Sequence, residues 1–207
     1  DDATTSSSTI LKLTADATIS RDSLFTIGSV DLAGKTLTLG SVTTDLTIDN
    51  SAPVEGESAG IFQMQAADLT WTGAAEFSAA KIYSTGGTLK LASGSSLSSA
   101  GLINLSGGST LALNGAFTQS GGELNADDST IQIGGNFSKT GGDLSSGNAN
   151  LKLTNDVTAS SNTPLSFKDL NLNDKVLTFV GQTSSLTLSD ELTLNNPNGR
   201  IVQGATS

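Results

Sequence analysis

Between Ser109 and Val157 the chain repeats itself every 20 residues. Ser109-Thr-Leu-Ala-Leu, Phe117 and Gly121-Gly-Glu-Leu recur as Ser129-Thr-Ile-Gln-Ile, Phe137 and Gly141-Gly-Asp-Leu, and then as Ala149-Asn-Leu-Lys-Leu and Val157. A period this short, with apolar residues two apart and glycine at the breaks, marks a solenoid whose turns stack on one another. A helix would need a period of 3.6 and would not carry so much glycine.

The repeat extends in both directions as an apolar-x-apolar pair. Its members are Leu69/Trp71, Leu89/Leu91, Leu111/Leu113, Ile131/Ile133, Leu151/Leu153 and Leu170/Leu172, with first members 20, 22, 20, 20 and 19 residues apart. Thr70, Lys90, Ala112, Gln132, Lys152 and Asn171 stand between the pair members, which is the alternation of a strand with one face inward. A second apolar position follows at Phe77, Leu97, Phe117, Phe137, Val157 and Phe179. A third follows a polar or glycine-rich corner, at Ile82, Ile103 or Leu105, Leu124, Leu144, Leu165 and Leu186. Three inward segments per turn predict an all-β parallel β-helix, with turns of about 20 residues, three short strands and three corners. Gly121, Gly122, Gly141 and Gly142 are the corner glycines, where positive φ is expected. Roughly nine or ten such turns, spaced by about 4.8 Å, would make a rod on the order of 45 Å long.

The 207 residues read as one solenoid domain. Residues 1–23 are expected to form an N-terminal cap or an assembly strand, 24–195 the coils, and 196–207 a terminal turn and strand. In the first part Ile10/Leu11/Leu13, Ile19, Leu24, Ile27, Val30/Leu32, Leu37/Leu39 and Leu46/Ile48 keep the alternation with a looser period. Ser51 to Gly60 interrupts it and is read as a solvated corner loop, with a contact loop as the alternative. The first eight residues are polar and lack a signal-peptide pattern, so an exported protein would already have lost its signal.

Composition narrows the chemistry. The core must be aliphatic, since aromatic residues make up only 4% of the chain, and the recurrent Leu, Ile and Val argue against uniform disorder. With neither Cys nor His, the chain lacks disulfides, thiolate metal sites and the commonest general acid/base. Ten basic against twenty acidic residues, the basic ones scattered singly, exclude a nucleic-acid partner. No apolar run is long enough to span a membrane as a helix.

The blocks GGTLKL (Gly86 to Leu91), GGSTLALNG (Gly107 to Gly115) and STIQIGGNFSKTGGDL (Ser129 to Leu144) resemble the passenger repeats of autotransporters and filamentous-haemagglutinin-like adhesins. The resemblance covers about residues 65 to 195 and rests on repeat texture. It implies a right-handed parallel β-helix on a bacterial surface, the hand agreeing with the general preference for right-handed parallel crossovers.

Catalysis needs carboxylates gathered in one groove, and here Asp127-Asp128 is an adjacent pair expected at a solvated corner, with Arg21 and Arg200 at opposite ends. The calcium-binding repeat of some solenoids is not met at Gly121-Gly-Glu-Leu-Asn125 or Gly141-Gly-Asp-Leu-Ser145. A threonine array of the ice-binding kind begins with Thr36/Thr38 and Thr70/Thr72 and is broken by Lys90, Ala112 and Gln132. The glycosylation-like sites at Asn104 and Asn136 overlap strands and carry no expectation. No catalytic residue, cofactor or metal is therefore assigned, and the chain is not read as an enzyme. The expectation is an extracellular or bacterial cell-surface structural protein, an adhesin stalk or fibre subunit, self-associating through its solenoid ends. The alternative is a module for surface glycans or a host or neighbouring cell surface, with Trp71 and Tyr83 as candidates and Trp71 favoured as core; a polysaccharide-degrading β-helix stands behind both.

Overall fold

A computed structural model describes residues 10–19, 24–27, 29–33, 35–39, 45–48, 60–181, 185–194 and 198–204. Regular structure among them is β throughout, and strands one turn apart pair in parallel. The chain is a β-solenoid, a parallel β-helix of about eight turns. Its longest sheet has nine strands, hence eight steps, or about 38 Å at the usual strand spacing.

Three faces run along the axis. The first stacks Ala17–Ile19, Thr36–Leu39, Ile61–Met64, Lys81–Ser84, Leu102–Leu105, Glu123–Asn125 and Asp143–Ser145. The second stacks Leu24–Ile27, Asp45–Ile48, Asp68–Trp71, Thr88–Leu91, Thr110–Leu113, Thr130–Ile133, Asn150–Leu153, Asp169–Asn171 and Leu192–Thr193. The third stacks Ala75–Phe77, Ser95–Leu97, Phe117–Gln119, Phe137–Lys139, Val157–Ser161, Val176–Val180 and Arg200–Gln203. Two short pairs complete the pattern, Ile10–Lys12 with Ser29–Asp31 and Leu165–Phe167 with Leu186–Leu188.

Among the described residues strand pairing begins at Ile10, inside the segment expected to be a cap or an assembly strand. Residues 1–9 and 20–23 lie outside the described residues, as do 51–59 of the predicted insertion. Gly60, the last residue of that insertion, is buried against Leu32.

The apolar-x-apolar pairs build the second face. Leu46, Leu69, Leu89, Leu111, Ile131, Leu151 and Leu170 stack in register as one interior column. Ile48, Trp71, Leu91, Leu113, Ile133 and Leu153 form the other, with Leu172 buried above them. Every one of these side chains is buried, and burial of each contributes about 1.5–3 kcal/mol relative to exposure. No turn holds these side chains by itself, because each column is covered only by its neighbours above and below.

The third face departs from the period of 20. Phe77, Leu97, Phe117, Phe137 and Val157 are all buried, yet they occupy more than one column. Phe77 pairs with Leu97, and Leu97 with Gln119. Phe117 stands instead opposite Ser95, and Phe137 opposite Ala159, while Val157 faces Leu177. The physical reason is a step of 22 residues between Leu97 and Gln119, and again between Phe137 and Ala159. A chain that counts 22 where the eye counts 20 moves its aromatic residue to the neighbouring inward position, two residues back along the strand. Phe117 and Phe137 then stack on each other, with ring centroids 6.0 Å apart.

The corners hold the glycines. Gly122 and Gly142 have φ of 64° and 69°, a region that L side chains rarely adopt. A Cβ on either would also press on a carbonyl oxygen of the preceding turn, Gly101 for Gly122 and Gly121 for Gly142. Gly121 and Gly141 keep negative φ, and there close backbone approach alone requires glycine: a Cβ on Gly121 would meet the Ser99 nitrogen, and one on Gly141 the Ser120 carbonyl.

Candidate functional site

Outward positions are set by the same alternation that fills the core. On the second face one outer column reads Asp68, Thr88, Thr110, Thr130, Asn150, Asp169, and the other Thr47, Thr70, Lys90, Ala112, Gln132, Lys152, Asn171. With Thr26 preceding Thr47 in the second column, threonines stack over three turns in each column, but in different turns. No strand of this face carries the two-threonine row that an ordered threonine lattice needs.

On the first face the outer columns are Thr36, Ile61, Lys81, Leu102, Glu123, Asp143 and, beside it, Thr38, Gln63, Tyr83, Asn104, Asn125, Ser145. The first borders an open depression of about 410 Å³ on the corner, with Gly101, Gly122 and Gly142 among its lining residues. A comparable depression of about 450 Å³ lies on the third face and is lined by small residues such as Ala74, Gly94, Ser95 and Ala116.

The two aromatic candidates separate cleanly. Trp71 is inside, 1% exposed, packed edge-on against Phe62 and Phe77 at centroid distances of 6.1 and 5.6 Å. Its indole Nε1 has no hydrogen-bond partner, so the ring serves the core at the cost of a dry N–H. Tyr83 points outward on the first face and is half-buried.

Asp127 and Asp128 form a corner. Asp127 accepts the Asn148 N–H at 3.2 Å and the Ser145 hydroxyl at 2.7 Å, tying one turn to the next. Asp128 is exposed with φ of 60°. Other corner carboxylates do the same service: Asp16, Asp68 and Asp156 accept the N–H of Thr36, Thr88 and Val176, each 20 residues later, at 2.9, 2.6 and 2.9 Å. These acids are spent on corners that the ladder leaves unsatisfied. Among the described residues no three His, Cys, Asp or Glu side chains converge as a metal-ligand group, and no helix is long and apolar enough to cross a membrane.

Two features lay outside the sequence reading. Gln119 and Lys139, buried at 0% and 4% exposure, occupy interior positions, with Nε2 of Gln119 donating to the Asp143 carbonyl at 2.8 Å and Nζ of Lys139 to the Gly142 carbonyl at 2.7 Å. The large exposed hydrophobic residues among those described, Leu192, Leu194 and Ile201, all belong to the last turn. The first carried a signal in the sequence, since both residues lie on the outer-inner alternation of Phe117–Gln119 and Phe137–Lys139. The second had none, because Leu192 is spaced like any core residue.

The faces and their register define a β-solenoid, and its class is as far as resemblance to known proteins goes. No family model matches the chain, and neither does any curated protein or solved structure.

Proposed function

We propose that the chain is a structural β-solenoid rod, an adhesin stalk or fibre subunit of a bacterial cell surface, which lengthens by stacking end to end. The observation that carries this reading is the register of the second face, in which the inward residues of one turn are covered by the next; Leu192, Leu194 and Ile201 of the last described turn are 45%, 45% and 43% exposed. From Leu46 to Leu170 the residue at the Leu192 position of the second face is buried, with the next turn stacked above it. A second copy stacked there would repeat the contact that one turn makes with the next, a heterologous interface that does not close on itself. It would also engage an edge strand, whose free N–H and C=O groups invite pairing. A turn of about 20 residues matches the lower end of the patch that one partner supplies in a stable interface.

The corner hydrogen bonds supply a direction. Asp169 accepts the Glu191 N–H at 3.0 Å, and Glu191 occupies the same column one turn further on. Stacking head to tail would offer Glu191 a backbone donor, as Asp169 has; stacking tail to tail would set carboxylate against carboxylate. An acidic, cysteine-free composition supports the extracellular setting, and the absence of His and Cys with dispersed carboxylates supports a role without catalysis.

The test is negative-stain microscopy with sedimentation over a range of concentrations. Linear assemblies should lengthen with concentration, and replacing Leu192, Leu194 and Ile201 with serine together should abolish them. A chain that stays monomeric at every concentration would overturn end-to-end assembly.

A further inference from the structure

The rod carries one stripe unlike the rest of its surface. Thr38, Gln63, Tyr83, Asn104, Asn125 and Ser145 follow one another at one-turn intervals along the first face, every one uncharged, in a chain of net charge −10. Tyr83 is the aromatic side chain that points outward among those of described burial. Phe62, Trp71, Phe77, Phe117, Phe137, Phe167 and Phe179 are all buried.

Apart from Ser145, whose hydroxyl donates to Asp127 at 2.7 Å, most of the stripe's hydrogen-bonding capacity is unused within the protein. The side chains of Gln63, Tyr83 and Asn104 make no hydrogen bond among the described residues. Asn125 commits only its Oδ1, which accepts the Asp127 N–H at 3.3 Å. Three primary amides thus keep donors for something else, and a phenol ring with a hydroxyl stands among them. The neighbouring column, with Lys81, Leu102, Glu123 and Asp143, lines the open corner depression beside the stripe.

We propose that this stripe binds a neutral, linear glycan lying parallel to the rod axis. The ring of Tyr83 offers a platform for the C–H face of a pyranose, and the amides above and below it donate to and accept from successive hydroxyls. The turn spacing of about 4.8 Å is close to the advance of a 1,4-linked sugar, so successive units meet successive turns. Charge selects against the alternatives. An anionic polymer would meet the field of an acidic rod and the carboxylates of Glu123 and Asp143 on the flank. A neutral chain meets a neutral stripe. This binding does not depend on end-to-end assembly, so either idea survives failure of the other.

Calorimetric titration of the full chain with cellohexaose, mannohexaose and xylohexaose tests it, with a galacturonate hexamer as the anionic counterpart. Binding of at least one neutral hexamer is expected, weakened about tenfold by Tyr83→Ala and several-fold by Asn104→Ala. Tyr83→Phe should retain most of it, and Gln132→Ala on the second face should leave it untouched, all at unchanged melting temperature. Should Tyr83→Ala prove unstable, Asn104→Ala decides, since its side chain lies on the outer side of the first face. The proposal is overturned by the absence of binding to all three neutral hexamers, by binding indifferent to both Tyr83→Ala and Asn104→Ala, or by equal binding of the galacturonate hexamer.

Discussion

The inner corner of the third face is built in two ways. In the earlier turns Phe77 and Leu97 fill it with carbon, while in the three that follow Gln119, Lys139 and Ser161 occupy the equivalent position. All five are buried. The aromatic bulk has moved to the adjacent column, where Phe117 and Phe137 replace Ala75 and Ser95. The two columns exchange character: the ring moves from the column of Phe77 to that of Ala75, and a polar side chain takes the place it leaves.

What those polar groups do follows from a neighbouring series of carbonyls. Gly60, Ala80, Gly101 and Gly122 each accept the N–H of a residue in the next turn: Lys81, Leu102, Glu123 and Asp143, at 2.9, 3.0, 2.9 and 2.9 Å. Gly142 is the next member, and there the series changes. The first face ends at Asp143–Ser145, while Leu165–Phe167 in the following turn pairs with Leu186–Leu188. The Gly142 carbonyl receives the Lys139 ammonium in place of a backbone N–H. A buried lysine is thereby explained by a break in the ladder: a donor is needed where the backbone supplies none.

The comparison can be broken first at its apolar half. Trp71→Ala removes the ring that bridges Phe62 and Phe77 and should cost about 3–5 kcal/mol, read from urea unfolding. A loss below about 2 kcal/mol would mean that the aromatic turns collapse around the cavity and are no better packed than the polar ones. A smaller effect is expected at Lys139→Met, which keeps the length of the side chain and deletes the donor. An unpaired carbonyl costs about 1–3 kcal/mol, and relief from burying an ammonium offsets part of it, leaving a net loss of about 1 kcal/mol. A variant more stable than the parent would show that the charge, and not the broken ladder, dominates this corner.

The second face was legible because its signal is redundant. Each turn repeats two apolar residues around one mostly polar residue, so Leu89/Leu91 and Leu111/Leu113 align even across a step of 22 residues. The third face offers one apolar residue per strand at a fixed count of 20, and Phe117 stands 20 residues after Leu97 although it pairs with Ser95. Gln119, the true partner of Leu97, is polar and so breaks the apolar count of 20. The outer stripe was hidden differently. Gln63, Asn104 and Asn125 are ordinary surface residues one by one, and only the register of the first face puts them in line with Tyr83.

The smallest effect is expected at Gln119→Leu, and it separates the two polar residues from each other. Oε1 of Gln119 is buried with no partner, a cost of about 1–3 kcal/mol that leucine removes. Nε2 donates to the Asp143 carbonyl, but that residue sits in a strand already paired with Glu123–Asn125, so its loss leaves the ladder intact. Leucine would also continue the column begun by Leu97 one turn earlier. The variant should fall within about 1 kcal/mol of the parent, on the stabilising side. A clear loss instead would mean that Gln119 holds Lys139 in place. The pair Gln119→Leu with Lys139→Met would then depart from additivity, as neighbours sharing one network do.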